Sequence, residues 1–144
     1  MKNVLNFTWP ILLIIALFFL RQILQRPTSS YGAKVYQQHC QNCHMEEGQG
    51  LGKLIPPLEG SSYLAEFPSL IPCLIRNGIE GPMQVNGILY DHPMPANPEL
   101  SDEEIYQLMR FMYAEWQEGT TELRRDSMVS WLEACPEQGN SLNQ

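Results

Sequence analysis

The segment Cys40-Gln41-Asn42-Cys43-His44 carries the residues best suited to chemistry. Two thiols three positions apart on one helical turn can each form a thioether bond with the same haem, and the histidine that follows is then placed to bind the iron. The spacing C-x-x-C-H therefore predicts one covalently bound haem c, held by Cys40 and Cys43, with His44 as an axial ligand. A redox dithiol and half of a zinc site share the C-x-x-C part, but a zinc site here lacks a second C-x-x-C.

A proline-rich loop over residues 54–58 follows the motif. An iron-bound imidazole needs an acceptor for its second ring nitrogen, and a backbone carbonyl often fills that role. We predict that the carbonyl of Pro56 accepts from His44, with Pro57 as the next candidate. The alternative is that this loop is simply a rigid turn.

Candidates for a second axial ligand lie in the glycine- and proline-punctuated segment 78–95. Met94 offers a soft thioether directly before Pro95, whose ring restricts the backbone, and thioethers are suitable haem ligands. Met83 and His92 lie in the same segment and are rival ligands, and many methionines only fill a core. The residues alone leave these three possibilities open.

Two further cysteines, Cys73 and Cys135, remain if Cys40 and Cys43 carry haem. A haem-attachment motif implies export, and in an oxidising compartment the remaining pair can form a disulfide. The alternative is two unrelated buried thiols. We expect the disulfide.

Two longer helices are expected to hold the motif. The first begins near Tyr31 and places Gly32 and Tyr36 on one face, one turn apart and just before the motif. The second begins at a capping box, Ser101 followed three residues later by Glu104. Its apolar residues recur at helical spacing and predict a buried stripe: Ile105, Leu108, Met109, Met112 and Trp116. We expect this stripe to pack against the first helix.

Shorter elements are predicted between and after these helices. Residues 61–67 and 70–77 are expected to form two short helices, and 120–134 a later one. A small hairpin turn is expected at 85–88. The second short helix would cover one haem face with four apolar residues: Leu70, Ile71, Leu74 and Ile75.

Charge is unevenly distributed along the 144 residues. Three of the nine basic residues, Lys2, Arg21 and Arg26, precede residue 28, and no acidic residue does. The other six basic and all 16 acidic residues follow, so that part has a net charge of −10. This balance argues against nucleic acid and favours a basic docking partner. The composition is that of a globular protein with one compact domain.

The N-terminal region contains a nearly uninterrupted apolar run from Phe7 to Leu20. With its extension beyond Arg21, the run approaches the ~20 residues needed to cross a bilayer. A cleaved secretory signal is the rival interpretation, since Lys2 supplies a positive start. Arg21 and Arg26 stand where a small-residue cleavage site would be, so we expect an uncleaved membrane anchor.

The stretch from about Tyr31 to Trp116 resembles class I cytochrome c. It reads G-x-x-x-Y-x-x-x-C-x-x-C-H, then P-x-L, then M-P, then L-S-D-E-E-I at the start of the last helix. Residues 81–95 also look like bacterial monohaem modules with the pattern G-x-x-x-V-N-G-x-x-Y-x-x-x-M-P. The resemblance implies crossing first and last helices, and it selects Met94 as the second axial ligand beside His44.

The fold class expected is therefore all-α, a class I cytochrome c fold with an N-terminal transmembrane helix and a C-terminal helical extension. The expected parts are an anchor over residues 1–26, a short linker over 27–30, the haem domain over 31–118 and the extension over 119–144. The anchor would span the bacterial inner membrane once, with the haem domain in the periplasm, because bacteria attach haem outside the cytoplasm.

The expected function is that of a one-electron carrier, not itself an enzyme, in a bacterial respiratory complex or chain from a quinol-oxidising complex to a terminal oxidase. Its partners would be membrane-embedded respiratory subunits and redox proteins that dock at the haem edge. Two alternatives are an electron-accepting subunit of a periplasmic dehydrogenase and a haem sensor or ligand-binding module in which Met94 is labile.

Overall fold

The computed structural model describes residues 5–24, 30–117 and 123–135. These residues contain seven helices and one small hairpin. The elements in chain order are α1 (Leu5–Leu24), α2 (Ser30–His39), α3 (Gln41–His44), α4 (Ser62–Glu66), α5 (Ile71–Asn77), β1 (Met83–Val85), β2 (Ile88–Tyr90), α6 (Asp102–Trp116) and α7 (Arg125–Glu133). The structure is mostly helical and is consistent with a cytochrome c fold.

A two-stranded antiparallel sheet departs from the expected all-α fold. Strands β1 and β2 pair in the register Met83 with Tyr90 and Val85 with Ile88. The turn between them is Asn86-Gly87, and both residues have positive φ, 52° and 76°. Asn-Gly is the pair favoured in two-residue hairpin turns of this kind. The turn was expected from the sequence, but the strands around it were not.

Helices α2 and α6 cross in close contact at Gly32. A Cβ on Gly32 would lie 2.8 Å from the Cβ of Phe111 and would overlap the backbone carbonyl of Gln107. Tyr36 is buried one turn further along α2, with its ring centroid 5.6 Å from that of Phe111. The predicted packing of the first helix of the domain on the last long helix is confirmed.

The expected start of α6 and its buried stripe are also confirmed. The Ser101 hydroxyl accepts a hydrogen bond from the Glu104 amide, and the Glu104 carboxylate accepts one from the Ser101 amide at 2.9 Å. These bonds satisfy amide groups that a helix start leaves free. Four stripe residues are buried and the fifth, Trp116, is half-buried: Ile105, Leu108, Met109 and Met112.

Helix α7 adds to the same core from the C-terminal side. Met128 and Leu132 are buried in the cluster that also contains the α6 stripe. Cys135, directly after α7, forms a disulfide with Cys73 in α5. Helix α7 is shorter than the predicted 120–134 segment, of which residues 120–122 lie outside the described part of the chain.

Helix α1 carries the apolar N-terminal run. Every side chain described in it, from Pro10 to Arg21, is exposed. Among the described residues, none of the helices combines the length and apolar character needed to cross a membrane. The transmembrane helix expected within 1–26 is therefore not found there. Most of the expected linker, residues 27–29, lies outside the described residues.

The contact at Gly32 predicts the effect of Gly32→Ala. Helix propensity alone would stabilise the helix by about 1 kcal/mol. The added methyl group meets the α6 backbone instead, and we expect a net loss of about 1–3 kcal/mol, as for other overpacked contacts. Chemical denaturation of the haem-containing protein measures the change. Gln37→Ala, on the exposed face of α2, is the control and should stay within about 0.5 kcal/mol. Greater stability of Gly32→Ala would contradict the close contact.

The disulfide predicts a loss of stability on its removal. Its two cysteines are separated by 62 positions, and a loop of that size corresponds to about 4 kcal/mol by the chain-entropy relation. Replacing both Cys73 and Cys135 by Ser should lower the denaturation midpoint accordingly. Ser130→Ala, at an exposed position of α7, is the matched control. An unchanged midpoint in the double variant would show that the link contributes nothing to the folded domain.

Candidate haem-binding site

The C-x-x-C-H motif forms a single turn of helix at the end of α2. Cys40 precedes α3, and its carbonyl accepts hydrogen bonds from the amides of Cys43 at 3.1 Å and of His44 at 2.9 Å. Both cysteines are free thiols, with Cys40 half-buried and Cys43 exposed. Because both thiols lie on this one turn, they can reach two positions on a single ligand.

Burial also keeps Cys40 in its neutral form. It raises the pKa of the Cys40 thiol to about 12, with a smaller contribution from the nearby Cys43. Within the described ranges, no group of three or more His, Cys, Asp or Glu side chains is arranged to hold a metal ion. The zinc interpretation of the motif gains no support from this arrangement.

The His44 imidazole is buried and held in one orientation. Its Nδ1 lies 3.1 Å from the carbonyl oxygen of Pro56. Because a carbonyl can only accept, Nδ1 carries the proton and Nε2 is left to bind a metal. Burial lowers the pKa of His44, and the hydrogen bond to Pro56 opposes that shift. The imidazole is thus neutral at neutral pH, which is the form that binds iron.

Next to His44 lies a cavity of about 600 Å³, part of it open to solvent. Its walls come from the 56–58 loop, α4, α5, β1 and α6. Apart from Ser61, Tyr63 and His44, the lining residues are aliphatic side chains, prolines, methionines and Cys40. Mostly apolar walls with a few polar groups are typical of sites that bind an organic cofactor.

Two of the three candidate second ligands line this cavity. Met94 and Met83 both contribute to its walls, whereas His92 is exposed and lies outside the lining. The Nδ1 of His92 lies 3.1 Å from the carbonyl of Pro93. The backbone of Met94 is fixed by two hydrogen bonds with Ile79, of 2.9 and 3.0 Å. The structure therefore brings Cys40, His44, Pro56 and Met94 to one cavity.

Three of the four residues that were expected to cover a haem face from α5 line the cavity. Ile71, Leu74 and Ile75 are buried and line the cavity. Leu70 does not line it, because this residue precedes the first turn of α5. Leu108 and Met112 of α6 line the cavity as well. The stripe pattern predicted their burial but could not show what they would face.

Aromatic residues behind the cavity were not recognised from the sequence as supports of the motif. The Tyr36 hydroxyl donates a hydrogen bond of 2.5 Å to the carbonyl of Met45, directly after His44. The ring of Tyr36 meets that of Trp116 edge-on, with centroids 4.9 Å apart. The carbonyl of Trp116 in turn accepts from the Gly60 amide at 3.1 Å. The position of Tyr36, one helical turn before Cys40, was the feature of the sequence that could have indicated this supporting role.

The crossed helices, the C-x-x-C-H turn and the apolar cavity beside it define a class I c-type cytochrome, an electron-transfer protein or subunit. The chain belongs to the family described as "Cytochrome C oxidase, cbb3-type, subunit III", which matches residues 28–112. Membership of this family implies haem c as the cofactor. The residues around the cavity fit that group, because a neutral imidazole, three methionine thioethers and the free Cys40 thiol lie in an apolar enclosure.

Similar proteins include two named cytochrome c-552, one from Thermus thermophilus and one from a particular strain of the same species. Each is 32% identical over 91 residues, which is 59% of this chain and 67% or 60% of the respective relative. The cytochrome c subunit of a quinone alcohol dehydrogenase from Gluconobacter oxydans is 34% identical over 88 residues. That match covers 59% of this chain and 18% of the relative. The similarity thus covers part of this chain and part of each relative.

Proposed function

We propose that the chain is a one-electron carrier that binds one haem c through thioether bonds to Cys40 and Cys43, with His44 and Met94 as the axial ligands. The observation that carries the proposal is the joint placement of Cys40, His44 and Met94 at one apolar cavity, with His44 oriented by Pro56.

When bound, haem c supplies an iron that gains and loses one electron. His44 and Met94 would both bind the iron and would leave no position open for a substrate. Ligation by the Met94 thioether would favour the reduced state and raise the potential. The apolar walls limit access of water, and Pro56 holds the His44 ring in place. These roles suit electron transfer at the high-potential end of a respiratory chain.

The proposed electron path runs within a bacterial respiratory complex or chain, from a quinol-oxidising complex towards a terminal oxidase. The family description, which names an oxidase subunit, supports this role. The second candidate is an electron-accepting subunit of a periplasmic dehydrogenase, which the relative from Gluconobacter oxydans favours. In both roles a redox partner docks near the haem edge, and the acidic domain would attract a basic surface in a salt-dependent manner.

The proposed location is the bacterial inner membrane, with a single N-terminal helix as anchor and the haem domain in the periplasm. The exposed apolar side chains of α1 support membrane association, since water is an unfavourable environment for a continuous run of this kind. The Cys73–Cys135 disulfide supports an oxidising compartment.

Met94→Ala in the haem-containing protein tests the axial ligand. We expect complete loss of the weak near-infrared band that thioether ligation gives the oxidised form, a lower midpoint potential, and carbon monoxide binding by the reduced form. Met83→Ala, which removes another of the cavity thioethers, is the matched control and should retain the band. Loss of the band in Met83→Ala alone would transfer the ligand role to Met83. Carbon monoxide binding by the unaltered protein would instead favour the sensor alternative.

Purification of the full chain from native membranes tests location and partners together. The chain is expected in the membrane fraction after alkaline carbonate extraction, with a c-type α-band in its reduced spectrum. Oxidase or quinol-oxidising subunits should co-purify with it. Co-purification of a dehydrogenase would favour the second candidate, and recovery in the carbonate-soluble fraction would contradict the membrane anchor.

A further inference from the structure

We infer that Gly50 and Gly78 are positioning residues for the two axial ligands, one on each side of the haem site. The inference rests on the proposed function, because it assigns these glycines a role towards His44 and Met94. Both have positive φ, and at both the backbone that supports a proposed ligand leaves no room for a Cβ. Neither was singled out from the sequence as part of the site.

Gly50 lies in the sequence between His44 and Pro56, whose carbonyl accepts the hydrogen bond from His44. Its amide donates to the His44 carbonyl at 3.1 Å. A Cβ at Gly50 would lie 2.7 Å from the carbonyl oxygen of Pro56, and it would also overlap the carbonyl of Ile55. Real Cβ atoms do not approach backbone atoms this closely. Only glycine lets the Pro56 carbonyl sit where it now meets the Nδ1 of His44.

Gly78 holds the corresponding place on the Met94 side. It ends α5, and a Cβ there would lie 2.6 Å from the carbonyl oxygen of Met94 and 2.8 Å from the amide nitrogen of Ala96. The same Met94 carbonyl accepts from the Ile79 amide at 2.9 Å. A side chain at Gly78 would therefore push away the backbone segment that carries Met94.

The two displacements have opposite electronic consequences. Donation from Nδ1 makes an imidazole a more basic ligand, which favours the oxidised iron. A weaker contact between His44 and Pro56 should therefore raise the midpoint potential. Thioether ligation favours the reduced iron, so weaker ligation by Met94 should lower it. General loosening of the domain would not produce shifts of opposite sign.

The chain provides a matched control for each glycine. Gly52 lies in the same loop as Gly50 and has φ of +54° against +68°, but nothing lies within 4 Å of a Cβ there. Gly87 has φ of +76° against +77° for Gly78, and its Cβ position is equally open. Alanine at a control position therefore also takes up a positive φ but displaces no neighbour.

The experiment compares four alanine variants of the full haem-containing chain by redox titration and near-infrared spectroscopy. Gly50→Ala should raise the midpoint potential and keep the thioether band. Gly78→Ala should lower the potential and weaken or abolish the band. Gly52→Ala and Gly87→Ala should match the unaltered protein in both readouts. Equal shifts in Gly50→Ala and Gly52→Ala, or in Gly78→Ala and Gly87→Ala, would overturn the inference.

A second series keeps the comparison valid if an alanine variant does not fold. Asparagine tolerates positive φ better than alanine but still places a Cβ against the same atoms, so the four Asn variants are judged by the same shifts. Measurements on the unaltered protein distinguish failure of the ligand assignment from failure of the positioning role. If it lacks the thioether band, the ligand assignment fails. If it has the band and the variants follow their controls, only the positioning role fails.

Discussion

The close contact of α2 with α6 is the constraint on which the haem site depends. Gly32 lets the two backbones meet, and the contact brings the end of each helix to the same place. The end of α2 carries the C-x-x-C-H turn, and the end of α6 carries Trp116. Tyr36 joins these two ends through its ring contact with Trp116 and its hydrogen bond to Met45. A wider separation of the helices would break the ring contact between Tyr36 and Trp116.

The site combines a neutral interior with an acidic exterior. Its interior holds an uncharged imidazole, the Cys40 sulfur and methionine thioethers among apolar walls. The part of the chain that follows residue 27 nevertheless carries a net charge of −10. Such a separation suits a carrier, since the charge on the surface can orient a partner while the interior sets the affinity for an electron.

Local patterns predicted much of this arrangement, because each of them depends on a few neighbouring residues. The C-x-x-C-H spacing, the capping box at Ser101 and the helical stripe that follows it are of this kind. The contact of Pro56 with His44 and the Cys73–Cys135 pair were expected from chemistry, and the structure contains both. The two strands, of three residues each, are too short for alternation to be recognisable in the sequence.

Other features depend on tertiary contacts that no local pattern encodes. Periodicity showed that Leu108 and Met112 are buried, but not that they face the cavity. Leu70 was expected to line the cavity, but it lies before the first residue of α5 and does not line it. The roles inferred for Gly50 and Gly78 became visible only through the atoms that a side chain would displace.

The presence of one disulfide beside two free cysteines has a consequence for how the protein is made. Cys73 and Cys135 are oxidised, whereas Cys40 and Cys43 must remain reduced until each forms its proposed bond with haem. If both events take place in one compartment, that compartment has to oxidise one pair of thiols and leave the other pair reduced. Premature pairing of Cys40 with Cys43 would remove the two thiols that the proposed haem attachment needs.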